Sequence, residues 1–144
     1  MAFWIFKCNP EIYRIADRLA DPNPHLTWTV SRYRDQIAPG DTIFIWETGP
    51  DRGIRTVLFA QVVPRDMHEL ESEQPYWVMR DTELLCRVRA TIANRDVNLS
   101  HADLRAVPGL ENLSVFHGFQ QGTNFSVTPE EGAILMRLVE GQRA

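Results

Sequence analysis

Long apolar runs are missing from this 144-residue chain. No stretch approaches the roughly 20 consecutive apolar residues that a membrane-spanning helix needs. Lysine is almost absent, with Lys7 standing alone against 14 arginines. Cysteine is scarce too: Cys8 and Cys86 lie far apart, and their spacing matches no zinc or redox pattern. Two such thiols are expected to be small buried hydrophobes of a reducing compartment. The opening Met1-Ala2-Phe3-Trp4-Ile5-Phe6-Lys7 lacks the basic start and small-residue cleavage site of a secretory signal, so a cytoplasmic protein without membrane association is expected. Repeats, low-complexity tracts and interdomain linkers are absent as well, and the length fits one domain spanning residues 1–144.

The machinery of most catalysts is also missing. Neither common phosphate-binding glycine loop occurs, nor a nucleophile elbow. His25, His68, His101 and His117 are scattered without metal-ligand spacing, so no metal and no cofactor is expected. Glu130-Glu131 is explained by a helix N-terminus, and Glu69, Glu71 and Glu73 look like a solvated loop. Glu47 differs, because it ends an apolar strand directly after Trp46. It can accept a hydrogen bond from an exocyclic amine, or pair with Arg52 or Arg55. The formal charge is −4, and the acidic excess sits in residues 61–83. That average argues against coating long duplexes nonspecifically, which depends on counterion release by many cations. It leaves room for a basic rim around one pocket.

What is present is a foldable core, with 44% apolar and 24% charged residues. Phe3 to Lys7 has the pattern of a buried opening strand. Pro10 then precedes Ile12, Ile15, Ala16 and Leu19 at helical spacing, stopped by Asp21-Pro22-Asn23-Pro24. Leu26 to Arg34 alternates as a strand. Ala38-Pro39-Gly40-Asp41 turns into Thr42 to Trp46, apolar on both faces and hence a central strand. Ile54 to Val63 makes a hairpin with it. Residues 64–75 form an acidic loop, followed by a short aromatic piece, Tyr76 to Met79. Leu84 to Ile92 alternates, with Cys86, Val88, Ala90 and Ile92 on one face and Arg87, Arg89 and Thr91 on the other. Ser100 and Asp103 resemble a capped short helix, and Leu113 to Phe119 an extended piece. Thr128-Pro129-Glu130-Glu131 is a capping box opening a last helix that Gly141 ends. The sum is a small α+β barrel of five to six strands with two to three peripheral helices.

Two clusters carry the functional signal. Trp28 and Trp46 each lie at a strand edge beside polar residues, as the walls of a pocket for a planar base would. Gln121-Gly122-Thr123-Asn124-Phe125 combines a glycine that permits close approach, two hydrogen-bonding side chains and an aromatic anchor; an Asx-type turn accounts for it equally well.

These pieces resemble an EVE domain, of the PUA-like superfamily that also holds the YTH and ASCH domains. The similarity runs through Phe3-Trp4-Ile5-Phe6 with Asn9-Pro10, Trp28-Thr29-Val30-Ser31-Arg32, and Ile37-Ala38-Pro39-Gly40-Asp41. It continues in Ile43 to Trp46, Gly53-Ile54 and Gly122-Thr123-Asn124-Phe125. The resemblance implies a PUA-like mixed pseudo-barrel that reads a modified base, of the 5-methylcytosine or 5-hydroxymethylcytosine type, in DNA ahead of RNA. It implies a binding site made of Trp28, Ser31, Arg32, Trp46 and the 122–125 loop (Gly122, Thr123, Asn124 and Phe125), to which Glu47 is added as an edge reader. Arg32, Arg34 and Arg52 or Arg55 are expected to hold flanking phosphates. Many relatives are fused to effectors, so a separate effector protein is an expected partner. An RNA-binding module and an ASCH-like enzyme acting on a modified nucleoside stay open as alternatives.

Overall fold

A computed structural model of the chain describes residues 1–116 and 123–142. Six strands follow one another across the main sheet. They are β1 (Phe3–Cys8), β2 (His25–Thr29), β3 (Thr42–Glu47), β4 (Gly53–Ala60), β6 (Leu85–Asn94) and β8 (Asn124–Val127), in the spatial order β2-β6-β4-β3-β1-β8. Two short strands sit beside this path: β5 (Arg65–Met67) on β6 and β7 (Leu99–Ser100) on β4. The pair β1/β3 is parallel and every other pairing is antiparallel, so the sheet is mixed. The helices are α1 (Ile15–Ala20), α2 (His101–Arg105) and α3 (Pro129–Gly141), with 3-10 turns at Glu71–Tyr76 and Ser114–Phe116.

Alternation along the strands divides the apolar residues between two cores. Trp4, Phe6, Ile43, Ile45, Leu58, Val88 and Ala90 fill the concave side. Ile5, Phe44, Trp46, Ile54 and Val57 face the other way, beneath α2 and α3 through Leu104, Leu135 and Val139. A strand buried on both faces must be apolar throughout, which is why β3 reads Thr-Ile-Phe-Ile-Trp. The sharp turn before it is fastened by Asp41. Its buried carboxylate accepts from the Trp4 indole, the Ala38 amide and the Ala2 amide, each at 2.9 Å.

The sheet does not close by strand pairing. β2 and β8 end the path, and the Asn124 side chain bridges the seam between them. Asn124 Oδ1 accepts from the amides of Ser31 (2.7 Å) and Arg32 (3.1 Å), while its Nδ2 donates to the Thr29 carbonyl (3.3 Å). Asn124 is fully buried, so these bonds meet the demand that buried polar groups be paired.

Several expectations are corrected. The first helix begins at Ile15, not after Pro10, and Ile12 is exposed. β2 ends at Thr29 rather than Arg34: the Ser31 and Arg32 amides go to Asn124, and Tyr33 adopts φ 62, outside strand geometry, its ring 5.1 Å from that of Trp4. β4 ends at Ala60 and β6 starts at Leu85. Residues 114–116 form a 3-10 turn instead of a strand, and residues 117–119 lie outside the described residues. Both predicted caps are present: Ser100 accepts from the Asp103 amide, and Thr128 and Glu131 form a reciprocal capping box.

Candidate nucleic-acid interface

A hollow of about 260 Å³ opens on the concave side, where the ends of β1 and β2 meet the 3-10 turn. Three aromatic rings line it. Tyr13 packs edge-on against both indoles, Trp28 at 5.4 Å and 74° and Trp77 at 5.1 Å and 69°. An isolated bridge between Tyr13 and Trp77 fixes the two segments that carry these rings. Edge-to-face packing of this kind holds rings in defined orientations and contributes about 0.5–1.5 kcal/mol per pair beyond burial.

The polar wall is Glu69. Its Oε1 accepts from the Thr27 hydroxyl and from the Leu70 amide (2.9 Å), and its Oε2 accepts from the Trp77 indole N–H (2.9 Å). The Arg87 guanidinium stands 3.7 Å from Oε2. Each carboxylate oxygen has two lone-pair sites. Both sites of Oε1 are filled, whereas Oε2 accepts one hydrogen bond among the described residues, which leaves one of its sites open there. Glu69 is only 7% exposed yet lines the hollow, so that remaining site faces little water.

Behind the aromatics lies a buried ionic layer. The Tyr13 hydroxyl donates to Glu73 (2.6 Å), and Glu73 pairs with Arg18 (2.8 Å), which also donates to the carbonyls of Asn23 and His25. Burial pushes the Glu73 carboxyl above its usual range even though Tyr13 and Arg18 pull the other way. Burial, reinforced by Glu73, also raises the Tyr13 phenol. Arg18 is fully buried, and its Nη1 has no hydrogen-bond partner among the described residues. Arg87 is buried as well, held by Asp81 (2.9 Å) and the Met67 carbonyl (3.0 Å). These ions lock the acidic loop against the sheet.

Chemically the hollow is suited to binding. Burial, with help from Glu47, raises the Cys8 thiol to about 12, which leaves it protonated and unreactive near neutrality. Burial lowers Lys7 below the usual ammonium range. No group of three or more His, Cys, Asp or Glu among the described residues could hold a metal ion. No helix among them is long and apolar enough to cross a membrane.

Of the residues picked from sequence, Trp28 and Thr123 line the hollow. Ser31, Arg32 and Asn124 come together beside it as the seam, where Ser31 and Thr123 hydroxyls lie 3.1 Å apart. Arg32 lies exposed over the Tyr33 ring. Phe125 is a core residue with the Lys7 ammonium 5.0 Å from its ring centroid. Trp46 and Glu47 do not join them. Trp46 is 3% exposed and points to the opposite core, as strand alternation from Ile45 requires. Glu47 lies 3.7 Å from Arg55, away from the hollow. Arg34 pairs with Asp66 on the surface. Gly122 lies outside the described residues.

Sequence reasoning missed Tyr13, Glu69 and Trp77. The acidic run read as solvated is divided: Glu69 and Glu73 are buried, and only Glu71 is exposed, paired with Arg80. Arg87, expected on an open face of β6, is covered by the same loop. The one available signal was the pair of arginines, Arg18 on an apolar helix face and Arg87 inside an apolar strand, each needing a carboxylate if buried.

The chain resembles solved structures along its whole length. A hypothetical protein from Leishmania major is 17% identical, covering 100% of this chain and 98% of that one, with a TM-score of 0.71. Human THYN1, solved in complex with DNA containing 5-methylcytosine, is 19% identical over 97% of this chain and 98% of that one, with a TM-score of 0.64. An ASCH protein from Zymomonas mobilis is 11% identical over 96% and 99%, with a TM-score of 0.52. Among curated proteins none matches. The family model of the EVE domain matches residues 2–138. The mixed sheet, its laced seam and this match over nearly the full chain lead to one conclusion: the protein belongs to the EVE domain family.

Proposed function

We propose that this protein is a nucleic-acid-binding domain that takes one extruded base, a 5-modified cytosine of DNA, into the hollow between Trp28 and Trp77 without transforming it. The observation that carries the reading is the hollow itself, three aromatic rings beside a buried carboxylate that keeps one lone-pair site open among the described residues. Its size, about 260 Å³, suits a single heteroaromatic ring. Drug-sized ligands occupy roughly 300–1,000 Å³. Complexed THYN1, which shares the fold, holds DNA with 5-methylcytosine.

The energetics are consistent. Extruding a base costs a few kcal/mol, and stacking on an indole returns about 1–3 kcal/mol. The free site on Glu69 accepts an exocyclic amine, which cytosine and adenine present and thymine does not. The apolar lining from Ile12 and Cys8 can bury a 5-methyl group, a gain of about 0.8 kcal/mol or roughly fourfold in affinity. Packing alone therefore sets a modest preference, roughly fourfold from the area buried and no more than about 200-fold.

The test compares Trp28→Ala, Trp77→Ala and Trp46→Ala on matched oligonucleotides with and without 5-methylcytosine, in DNA and RNA. The first two are expected to weaken binding about 5–150-fold, the range that about 1–3 kcal/mol of stacking sets. Trp46→Ala is expected to cost stability, about 3–5 kcal/mol. Unchanged affinity in both hollow variants, with folding intact, overturns the reading. Turnover of a modified nucleoside would make the domain an enzyme instead.

A further inference from the structure

A second hollow, of about 370 Å³, lies on the other side of Lys7. Lys7 lines both hollows, so they meet at the C-terminal ends of the parallel strands β1 and β3. Its cationic side chains are Lys7, Arg52 and Arg105, joined by the His101 imidazole, and no carboxylate among the described residues lines it. In a chain with net charge −4 that is a local reversal of sign. Arg18, Arg34, Arg55, Arg80 and Arg87 each pair with a carboxylate, whereas Lys7, Arg52 and Arg105 form no ion pair among the described residues.

Arg105 and His101 are also held in place, and Arg52 is tied through its backbone. The Arg105 guanidinium lies 5.3 Å over the Phe116 ring. His101 packs edge-on to Phe116 (5.2 Å) and to Trp46 (5.8 Å), and its amide donates to the Arg52 carbonyl at 3.0 Å. Concentrating unpaired cations costs electrostatic free energy, which an anion in the hollow would recover. Guanidinium groups in a fixed array match phosphate oxygens in geometry and charge.

We propose that this hollow binds a phosphate ester, namely the backbone phosphate beside the nucleotide whose base enters the Trp28–Trp77 hollow, with Arg52 and Arg105 gripping its oxygens and Lys7 bridging the two sites. The proposal rests on the reading of the first hollow as a base site. It assigns to Arg105 and Lys7 a role that sequence alone did not suggest.

The experiment measures binding of a 5-methylcytosine duplex and its unmodified twin to wild-type protein and to R52Q/R105Q, across salt from about 50 to 200 mM. Each phosphate no longer neutralised lowers the log–log salt slope by about 0.9, so with one phosphate at stake the wild type should lose about 3.5-fold more affinity over that range than the double variant. The loss should be equal for modified and unmodified DNA, whereas Trp77→Ala should act on the base preference. A wild-type slope and affinity in R52Q/R105Q overturns the proposal. If wild-type protein binds neither duplex, the base reading fails and the phosphate site is judged alone, by titrating inorganic phosphate and deoxycytidine monophosphate against the His101 ring resonances. A shift seen in the wild type and lost in R52Q/R105Q keeps a phosphate site that serves free nucleotides. No shift overturns it.

Discussion

Replacing Glu69 by Gln tests both the architecture and the selectivity of the aromatic hollow. Every donor that meets this carboxylate is fixed. The Leu70 amide and Thr27 hydroxyl face Oε1, and the Trp77 indole faces Oε2. A glutamine must turn its NH2 group toward one side, and neither side tolerates it without loss. Against Trp77 two donors collide; toward Thr27 the hydroxyl can rotate to accept, but the Leu70 amide loses its acceptor. One buried hydrogen bond is lost in either orientation, and the buried Arg87 guanidinium 3.7 Å away loses one of its neutralising charges, a cost of at least about 1–3 kcal/mol. For a chain of this length, with about 2.1 cal/mol/K of unfolding entropy per residue, that lowers Tm by about 3–10 °C.

The effect on binding is separable from the effect on stability. An amine donating to a carboxylate contributes about 1.5–3 kcal/mol, so Glu69→Gln should weaken 5-methylcytosine binding roughly 10–150-fold. Thymine, which carries the same methyl group with an oxo edge, gains nothing from Glu69 in the wild type and should lose little. The assay is competition between oligonucleotides differing only in 5-methylcytosine or thymine at one position, with thermal melting of both proteins in parallel. A variant that melts lower but keeps the wild-type cytosine-to-thymine ratio would falsify the role of Glu69 as edge reader. It would leave the carboxylate as a structural tie.

Three further perturbations address the frame around the site. Asn124→Ala strips the seam of its bonds to Ser31, Arg32 and Thr29, so stability should fall by about 2–3 kcal/mol and the Ser31 and Arg32 amides should exchange faster with deuterium. Gly132→Ala should destabilise by about 1–3 kcal/mol in chemical denaturation, although alanine is the better helix former, because its Cβ would lie 2.2 Å from the Phe3 ring. His101 is held below the usual imidazole range by burial, with Arg52 and Arg105 adding to it. Its contribution to stability is therefore complete above the unfolded value and lost as pH falls through the folded one. Melting between about pH 7 and 5 should consequently fall more steeply in the wild type than in His101→Phe, and a wild-type slope in the variant refutes the assignment.

The frame was largely legible in the sequence. Alternation in β6, the two-faced apolar run of β3 and the capping box of α3 are local patterns, each set by neighbours within a few residues. The site was legible only in part, because its walls come from separated segments. Trp28 announced itself by its polar neighbours. Trp46 carries the same signature, yet the two-residue period of β3 sends it to the opposite face from Ile45. Glu69 and Glu73 looked like any solvated run, since the arginines that neutralise them, Arg87 and Arg18, lie on β6 and α1. A buried charge is recognised only with its partner, and no local spacing joins these partners.

The seam explains why such a site can exist in a fold this small. If β2 and β8 had completed a continuous ladder, backbone pairing would have sealed the concave side where these strands end. Instead one buried amide side chain spans the gap, and the hydroxyls of Ser31 and Thr123 lie within 3.1 Å across it. The backbone groups that a ladder would satisfy are met by Asn124, so the edge remains open without leaving those donors bare. The hollow with its indoles opens next to that gap, and Thr29 and Thr123 belong to both. The seam is thus the structural condition for the pocket: residues at the gap where the sheet stays open, Thr29 and Thr123, also line the hollow.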